Sequence, residues 1–253
     1  SQLMESSLLA AIQYPECENL LSENGIQKTR RISNIQAETV VMILNCFQKF
    51  FTITQGDDTL VKTRRGFFLG DGTGCGKGRV IAGLIEEVKQ QFGQEKAVWF
   101  SVSQDLEIDS KRDLDDVQSE METMNLMKKK EFKEQGVMFS TYSTIVKEAR
   151  YNDLCDWLGN EFEGLLVFDE SHKAKQCSKN MSKTAKNIIK LQREYPKARV
   201  VYVSATGCSQ VEHMGYMERL HLWGDDTHHM DFKDFVSATN SGNDFANEMV
   251  AMH

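Results

Sequence analysis

Residues Gly70-Asp71-Gly72-Thr73-Gly74-Cys75-Gly76-Lys77-Gly78-Arg79 set five glycines around a central lysine, directly after the apolar run Phe67-Phe68-Leu69. Val80, Ile81, Leu84, Ile85 and Val88 then recur at helical spacing. The chemistry open to such a stretch is the holding of phosphate. Glycines let successive backbone N–H groups turn toward one anion, the following helix N-terminus adds partial positive charge, and Lys77 can reach the outer phosphates of a nucleotide. The plain alternative is a tight turn with a solvated lysine, and the order strand, loop, helix weighs against it. Gly78 stands where a serine or threonine would place its hydroxyl on Mg²⁺. Glycine there costs the helix about 1 kcal/mol relative to alanine. Either the backbone at Gly78 passes close to another group, or a water replaces the hydroxyl.

A second constellation follows. Leu165-Leu166-Val167-Phe168 runs into Asp169-Glu170-Ser171-His172, which describes a buried strand with acids at its C-terminal tip, where ligands sit in open α/β sheets. Alternation along the strand sends the two carboxylates in different directions. One can hold Mg²⁺ and the other can accept a proton from an attacking water, whereas the plain reading has both capping a following helix. Arg199-Val200-Val201-Tyr202-Val203 ends in Ser204-Ala205-Thr206-Gly207. Its hydroxyls, beside a carboxylate pair, can relay the state of a phosphate, although alone they make a small-residue turn. Ser33-Asn34-Ile35-Gln36 reads as a capping box, with the glutamine reaching back to the first backbone N–H. His228, His229 and Asp231 fall in a polar loop and read as solvated side chains rather than a metal site.

These groups need a scaffold of buried strands and covering helices. Ala97 to Ser103 and Val137 to Tyr142 are continuous apolar runs ending in hydroxyls, as parallel strands buried on both faces should be. Ser33 to Phe51, Tyr151 to Leu158 and 182–195 have helical periodicity, 104–135 reads as a solvated helical face, and the tail from Val211 reads as helical. Residues 1–30 are expected to form a peripheral helical segment, and 31–253 one nucleotide-binding domain. The 253 residues, 40% of them hydrophobic, suffice for one large α/β core. A net charge of −7 argues against coating nucleic acid by bulk charge and leaves room for a local basic groove. Six cysteines without a Cys-x-x-Cys pair indicate neither a zinc ribbon nor a disulfide framework, and fit a reducing compartment. No apolar run approaches the ~18 residues of a membrane span, so no membrane partner is expected. The start at Ser-Gln-Leu and the stop at Ala-Met-His suggest a piece of a longer protein.

Taken in order, the glycine–lysine loop, Asp169-Glu170-Ser171-His172 and Ser204-Ala205-Thr206 resemble motifs I, II and III of superfamily 2 helicases. More narrowly, the stretches 70–79, Val98 to Leu106, Val167 to Lys175, Lys197 to Gly207 and Leu222-Trp223-Gly224 resemble the strawberry notch family, in which glycine after the loop lysine is normal. The resemblance implies the N-terminal RecA-like lobe of a DExH-type helicase: a three-layer α/β P-loop NTPase fold with a mainly parallel central sheet flanked by helices. It implies ATP and Mg²⁺ as cofactors, held by Gly72, Thr73, Gly74, Cys75, Gly76, Lys77, Gly78 and Arg79. Lys77 lies on the phosphates, Asp169 at Mg²⁺ and Glu170 at the water. Gln36 reads adenine, and His172, Ser204 and Thr206 couple hydrolysis to movement. Ser101, Ser103, Thr141 and Tyr142 match family positions that contact a DNA or RNA backbone. A nuclear location and partners in transcription or chromatin also follow from the resemblance alone.

No segment after Thr206 reads as the arginine-bearing motif of a second RecA-like lobe, so this chain is expected to bind ATP weakly and hydrolyse it near background until joined to one. Two other classes are weighed against this. A switch GTPase would carry Asn-Lys-x-Asp, which the sequence lacks. A regulatory scaffold would bind nucleotide with little or no turnover, and intact Lys77, Asp169 and Glu170 argue against it.

Overall fold

A computed structural model describes residues 17–26, 31–54, 59–72, 74–128, 131–171, 182–205 and 211–241. Thr73, His172 and Thr206 therefore lie outside the described residues, as does most of the expected 1–30 segment. In chain order the elements are α1 (Asn34–Cys46), β1 (Phe50–Thr54), β2 (Leu60–Arg64), β3 (Phe67–Leu69), α2 (Lys77–Phe92), β4 (Lys96–Ser101), α3 (Leu106–Asp116), β5 (Thr123–Asn125), β6 (Gly136–Thr141), α4 (Glu148–Leu158), β7 (Leu165–Phe168), α5 (Lys183–Glu194), β8 (Arg199–Val203) and α6 (Phe232–Ser241).

Six strands form one sheet in the order β3-β8-β7-β4-β6-β5, and every neighbouring pair is parallel. The continuous apolar runs follow from burial on both faces. Ala97, Trp99, Leu165, Val167, Val201 and Val203 pack toward Val80, Leu84 and Leu114 of α2 and α3. Their neighbours Val98, Phe100, Leu166, Phe168, Val200 and Tyr202 pack toward Leu154, Ile188 and Phe235 of α4, α5 and α6. Successive side chains of a strand point to opposite faces, and here both faces are covered by helices. The chain is RecA-like, as expected. From β4 it moves to β6 on one side, then returns to β7 and β8 on the other, so the strand order reverses at β4. Ligand crevices of open α/β sheets lie at such a reversal, outside the strand C-terminal ends.

Several boundaries differ from the sequence reading. The first helix stops at Cys46, and Phe50 and Phe51 open β1 of an antiparallel hairpin with β2. The β-branched run Thr52-Ile53-Thr54 favours extended pairing over helix there. The 104–135 stretch contains α3 and also β5, which adds a sixth strand to the sheet edge. The described tail holds two 3₁₀ turns, Val211–Met214 and Glu218–Leu220, before α6.

Two buried charges fasten the periphery. Arg219, 1% exposed, donates through Nη1 to the carbonyls of Arg64 (2.9 Å), Pro196 (2.9 Å) and Ala198 (3.2 Å) and through Nη2 to those of Gln192 and Tyr195 (both 2.6 Å). Glu87 of α2, fully buried, accepts the backbone N–H groups of Ser22 (2.8 Å) and Ile26 (2.7 Å). Residues 17–25 thus run as irregular chain and turn rather than helix, and Ile26 is 1% exposed in the α2 core.

Candidate active site

The glycine loop leaves β3 at Leu69 and enters α2 at Lys77. Gly74 (φ 83°) and Gly76 (φ 75°) are left-handed, a conformation open to glycine without steric cost. Gly76 is the N-cap of α2 and no side chain caps it, so the helix start faces outward as an anion site. Lys77 Nζ donates to the carbonyls of Asp71 and Gly72, both at 2.8 Å, and an anionic ligand competes with these two oxygens for the ammonium. Gln36 Oε1 accepts the Ser33 N–H at 2.9 Å, completing the expected capping box. Its Nε2 also donates to the carbonyls of Cys75 (3.4 Å) and Gly76 (3.3 Å), bracing the loop from α1.

Gly78 is explained by crowding. A Cβ built there would fall on a carboxylate oxygen of Asp113 and lie 2.9 Å from its Cγ. Beside it, Arg79 pairs with Asp116, which holds α3 against the start of α2. Burial raises the Asp113 carboxyl above its ordinary range, with Arg112 and Arg79 opposing. The end of the Asp113 side chain has to turn aside for any side chain at 78, so Gly78→Ser is expected to destabilise the domain by about 1 kcal/mol, and adding Asp113→Ala should relieve most of the loss. Melting curves of the single and double variants test this. A single variant as stable as the parent would remove crowding as the reason for glycine.

Asp169 continues β7, its N–H donating to Phe100 C=O of β4 at 2.9 Å. Its Oδ1 accepts the Glu170 N–H at 2.9 Å, and Oδ2 faces Trp99 Nε1 at 3.5 Å. Burial pushes the Asp169 carboxyl up to about 6, with Trp99, the Glu170 N–H and the Lys77 ammonium pulling down and the Glu170 carboxylate pushing up. The fold thus brings Lys77 and Asp169 within electrostatic reach of one another. An oxygen ligand short of positive charge fits Mg²⁺, whose preferred donors are carboxylates and waters. Glu170 has φ 48°, a left-handed conformation that costs a non-glycine residue about 1–3 kcal/mol. Ser204, 1% exposed, donates its N–H to Leu69 C=O at 3.1 Å, so the end of β8 lies beside the root of the glycine loop.

The hydroxyl positions assigned to a nucleic-acid backbone separate. Ser101 (0% exposed), Thr141 (3%) and Tyr142 (6%) are buried. Thr141 Oγ1 bonds the hydroxyls of Ser143 and Thr144, and Tyr142 Oη donates to Asp169 C=O at 2.7 Å. In this conformation their side chains are buried, because β4 and β6 stay covered to their ends. Ser103, beyond the end of β4, stays half-exposed. Trp99, Asp113 and Tyr216 touch this region without having been singled out. Trp99 is brought there by the strand register, which pairs it with Val167 two residues before Asp169.

The family model described as P-loop containing NTP hydrolase pore-1 matches residues 1–253. The chain is 38% identical over 269 residues to Protein FORGETTER 1 of Arabidopsis thaliana, covering 99% of this chain and 20% of that protein. It is 43% identical over 213 residues to Protein strawberry notch of Drosophila melanogaster, covering 75% of this chain and 13% of that protein. The chain therefore spans about a fifth or less of these relatives. The Sulfolobus solfataricus SWI2/SNF2 ATPase core in complex with dsDNA shares the fold, with TM-score 0.62 and 13% identity over 94% of this chain and 44% of that one. Among the described residues no helix is long and apolar enough to cross a membrane.

Proposed function

The chain belongs to the family of P-loop containing NTP hydrolases described as pore-1, and from that premise we propose that it is the ATP-binding lobe of a helicase-like motor of the strawberry notch type. The supporting observation is that Lys77, in the glycine loop after β3, and Asp169, at the tip of β7, come within electrostatic reach of one another at the C-terminal edge of one parallel sheet. In this reading the loop N–H groups and Lys77 hold the phosphates, Gln36 reads adenine from its place against the loop, and Asp169 holds Mg²⁺. The cation, when bound, neutralises charge developing on the phosphate oxygens. A water oxygen bonds the γ-phosphorus, the bond to the ADP oxygen breaks, and the water's proton passes to the Glu170 carboxylate. His172, Ser204 and Thr206 carry the phosphate state onward. A second RecA-like lobe, a DNA or RNA strand passing Ser103, and a nuclear role in chromatin or transcription complete the proposal. The second lobe is supported by the length of the relatives beyond this chain, which covers 20% and 13% of them, and the strand by the double-stranded DNA bound to the SWI2/SNF2 ATPase core of like fold; the nuclear role rests on the family resemblance alone.

Calorimetry with ATP, ADP and GTP, with and without Mg²⁺, tests the reading on the chain and on its Lys77→Ala variant. The parent is expected to bind adenine nucleotides with Mg²⁺ dependence. The variant should lose about 10- to 150-fold in affinity, because a charge-assisted contact is worth about 1.5–3 kcal/mol. Preference for GTP would point to a switch instead. Unchanged affinity in Lys77→Ala would remove the lysine from the site.

A further inference from the structure

Glu170 sits between two backbone carbonyls that are each held by a buried phenol. Tyr142 Oη donates to Asp169 C=O at 2.7 Å, and Tyr216 Oη donates to Ser171 C=O at 2.6 Å. Both rings are buried, at 6% and 0% exposure. They come from separate parts of the chain: Tyr142 follows β6, and Tyr216 lies between the two 3₁₀ turns. A file of rings joins them beneath the sheet. Tyr142 stacks with Phe100 (centroids 6.3 Å), Phe100 with Phe168 (5.2 Å) and Phe168 with Tyr202 (5.7 Å), and Tyr202 meets Tyr216 edge-on (6.0 Å). The two hydroxyls are therefore fixed relative to each other as well as to the backbone they grip. Burial pushes the Tyr142 phenol well above its ordinary range, so it keeps its proton and remains a donor at any working pH.

Between the two gripped carbonyls the backbone is left-handed at Glu170. A glutamate released from constraint prefers the right-handed or extended regions, and either change swings its carboxylate to a new direction. The geometry points to Tyr142 and Tyr216 as positioning residues that clamp the main chain on either side of Glu170 and so aim its carboxylate at the water attacking the nucleotide. This rests on the reading of Glu170 as the acceptor of that water's proton. It gives Tyr142 a role other than the nucleic-acid contact suggested by its place in the sequence, and it gives Tyr216 a role that the sequence did not suggest. Phosphoryl transfer depends mainly on positioning, so a clamp of this kind should act on the reacting state and leave the bound ground state nearly untouched.

The test uses the full-length protein with Tyr142→Phe, Tyr216→Phe, both together, and each in a Glu170→Gln background. Phenylalanine keeps the ring file and removes only the hydroxyl. Three quantities are read: affinity for Mg·ADP, affinity for Mg·ADP with aluminium fluoride as a mimic of the reacting phosphate, and steady-state ATP turnover, with melting temperature as control. Each single variant should keep ADP affinity and KM within about twofold, while kcat and aluminium fluoride affinity fall about tenfold and the double variant falls further. In the Glu170→Gln background the same substitutions should change neither quantity. Parallel losses in ADP affinity, melting temperature and turnover, or the same loss with and without Glu170, would overturn the clamp. A Glu170→Gln protein with parental turnover and aluminium fluoride affinity, or a parent that shows neither, would overturn the underlying reading of Glu170, whatever the tyrosine variants do.

Discussion

Glu170→Gln in the full-length protein is expected to lower ATP turnover by about 10²–10⁴-fold, the range of a positioned general base, while ADP affinity stays within about twofold. The amide matches the carboxylate in shape, so the left-handed backbone at residue 170 and its N–H bond to Asp169 Oδ1 have no reason to change. What is lost is the capacity to take the water's proton. Single-turnover phosphate release and ADP calorimetry on the same preparation separate the two effects. Loss of ADP binding would make Glu170 a structural residue, and retained turnover would place the base elsewhere.

Removing the Arg219 guanidinium should have the largest effect on stability. Its five carbonyl partners come from the ends of β2 and α5, the Pro196 turn and the approach to β8, so one side chain ties the hairpin, a helix C-terminus and a sheet strand. Among the described residues no carboxylate bonds it, and burial pulls the guanidinium down to about 10, leaving it cationic at neutral pH. Arg219→Met would leave the carbonyls of Arg64, Gln192 and Ala198 buried without that donor, while those of Pro196 and Tyr195 keep the N–H groups of Arg64 (2.8 Å) and Ala198 (3.0 Å). Each unsatisfied buried group costs about 1–3 kcal/mol, so a total loss of at least about 4 kcal/mol is expected, corresponding to a fall of roughly 8–16 °C in melting temperature for a domain of this size. Arg219→Lys should recover little, because an ammonium presents three donors from one point and cannot span five carbonyls. A thermal melt within about 2 °C of the parent would show that these oxygens find other donors at little cost.

The sheet was legible in the sequence because a strand buried on both faces must be apolar throughout, and 165–168 and 199–203 have no other reading. The glycine–lysine loop and the acids after Phe168 were legible because their chemistry is local and the strand tip next to them sets their place. The hairpin was not legible. Phe50 and Phe51 continue a helical period on paper, and only pairing with 60–64 makes them strand. The burial of the hydroxyls at the ends of β4 and β6 was not legible either: residue type says what a side chain can bond, but the packing around it decides whether it is buried. Gly78 was ambiguous because the group that crowds it, Asp113, lies 35 positions away (113 − 78) on another helix. Arg219 and Tyr216 carried no signal at all, since five carbonyls and one peptide oxygen from distant segments leave no pattern in the chain.

The buried Glu87 has a consequence for where this folding unit begins. Its carboxylate holds the main chain at Ser22 and Ile26, and Gly25 has no side chain because a Cβ there would fall on the same carboxylate. A cut before residue 31, where the motifs start, removes both backbone donors and leaves the acid on a helix that packs against the sheet, with Gln91 Nε2 at 2.7 Å as its remaining donor. The fragment then has to let water in to replace those donors, and it would be prone to aggregate through the face that Ile26 had sealed. The natural edge of the nucleotide-binding lobe therefore lies upstream of its first recognisable motif, and a shorter fragment would misreport the properties of the whole.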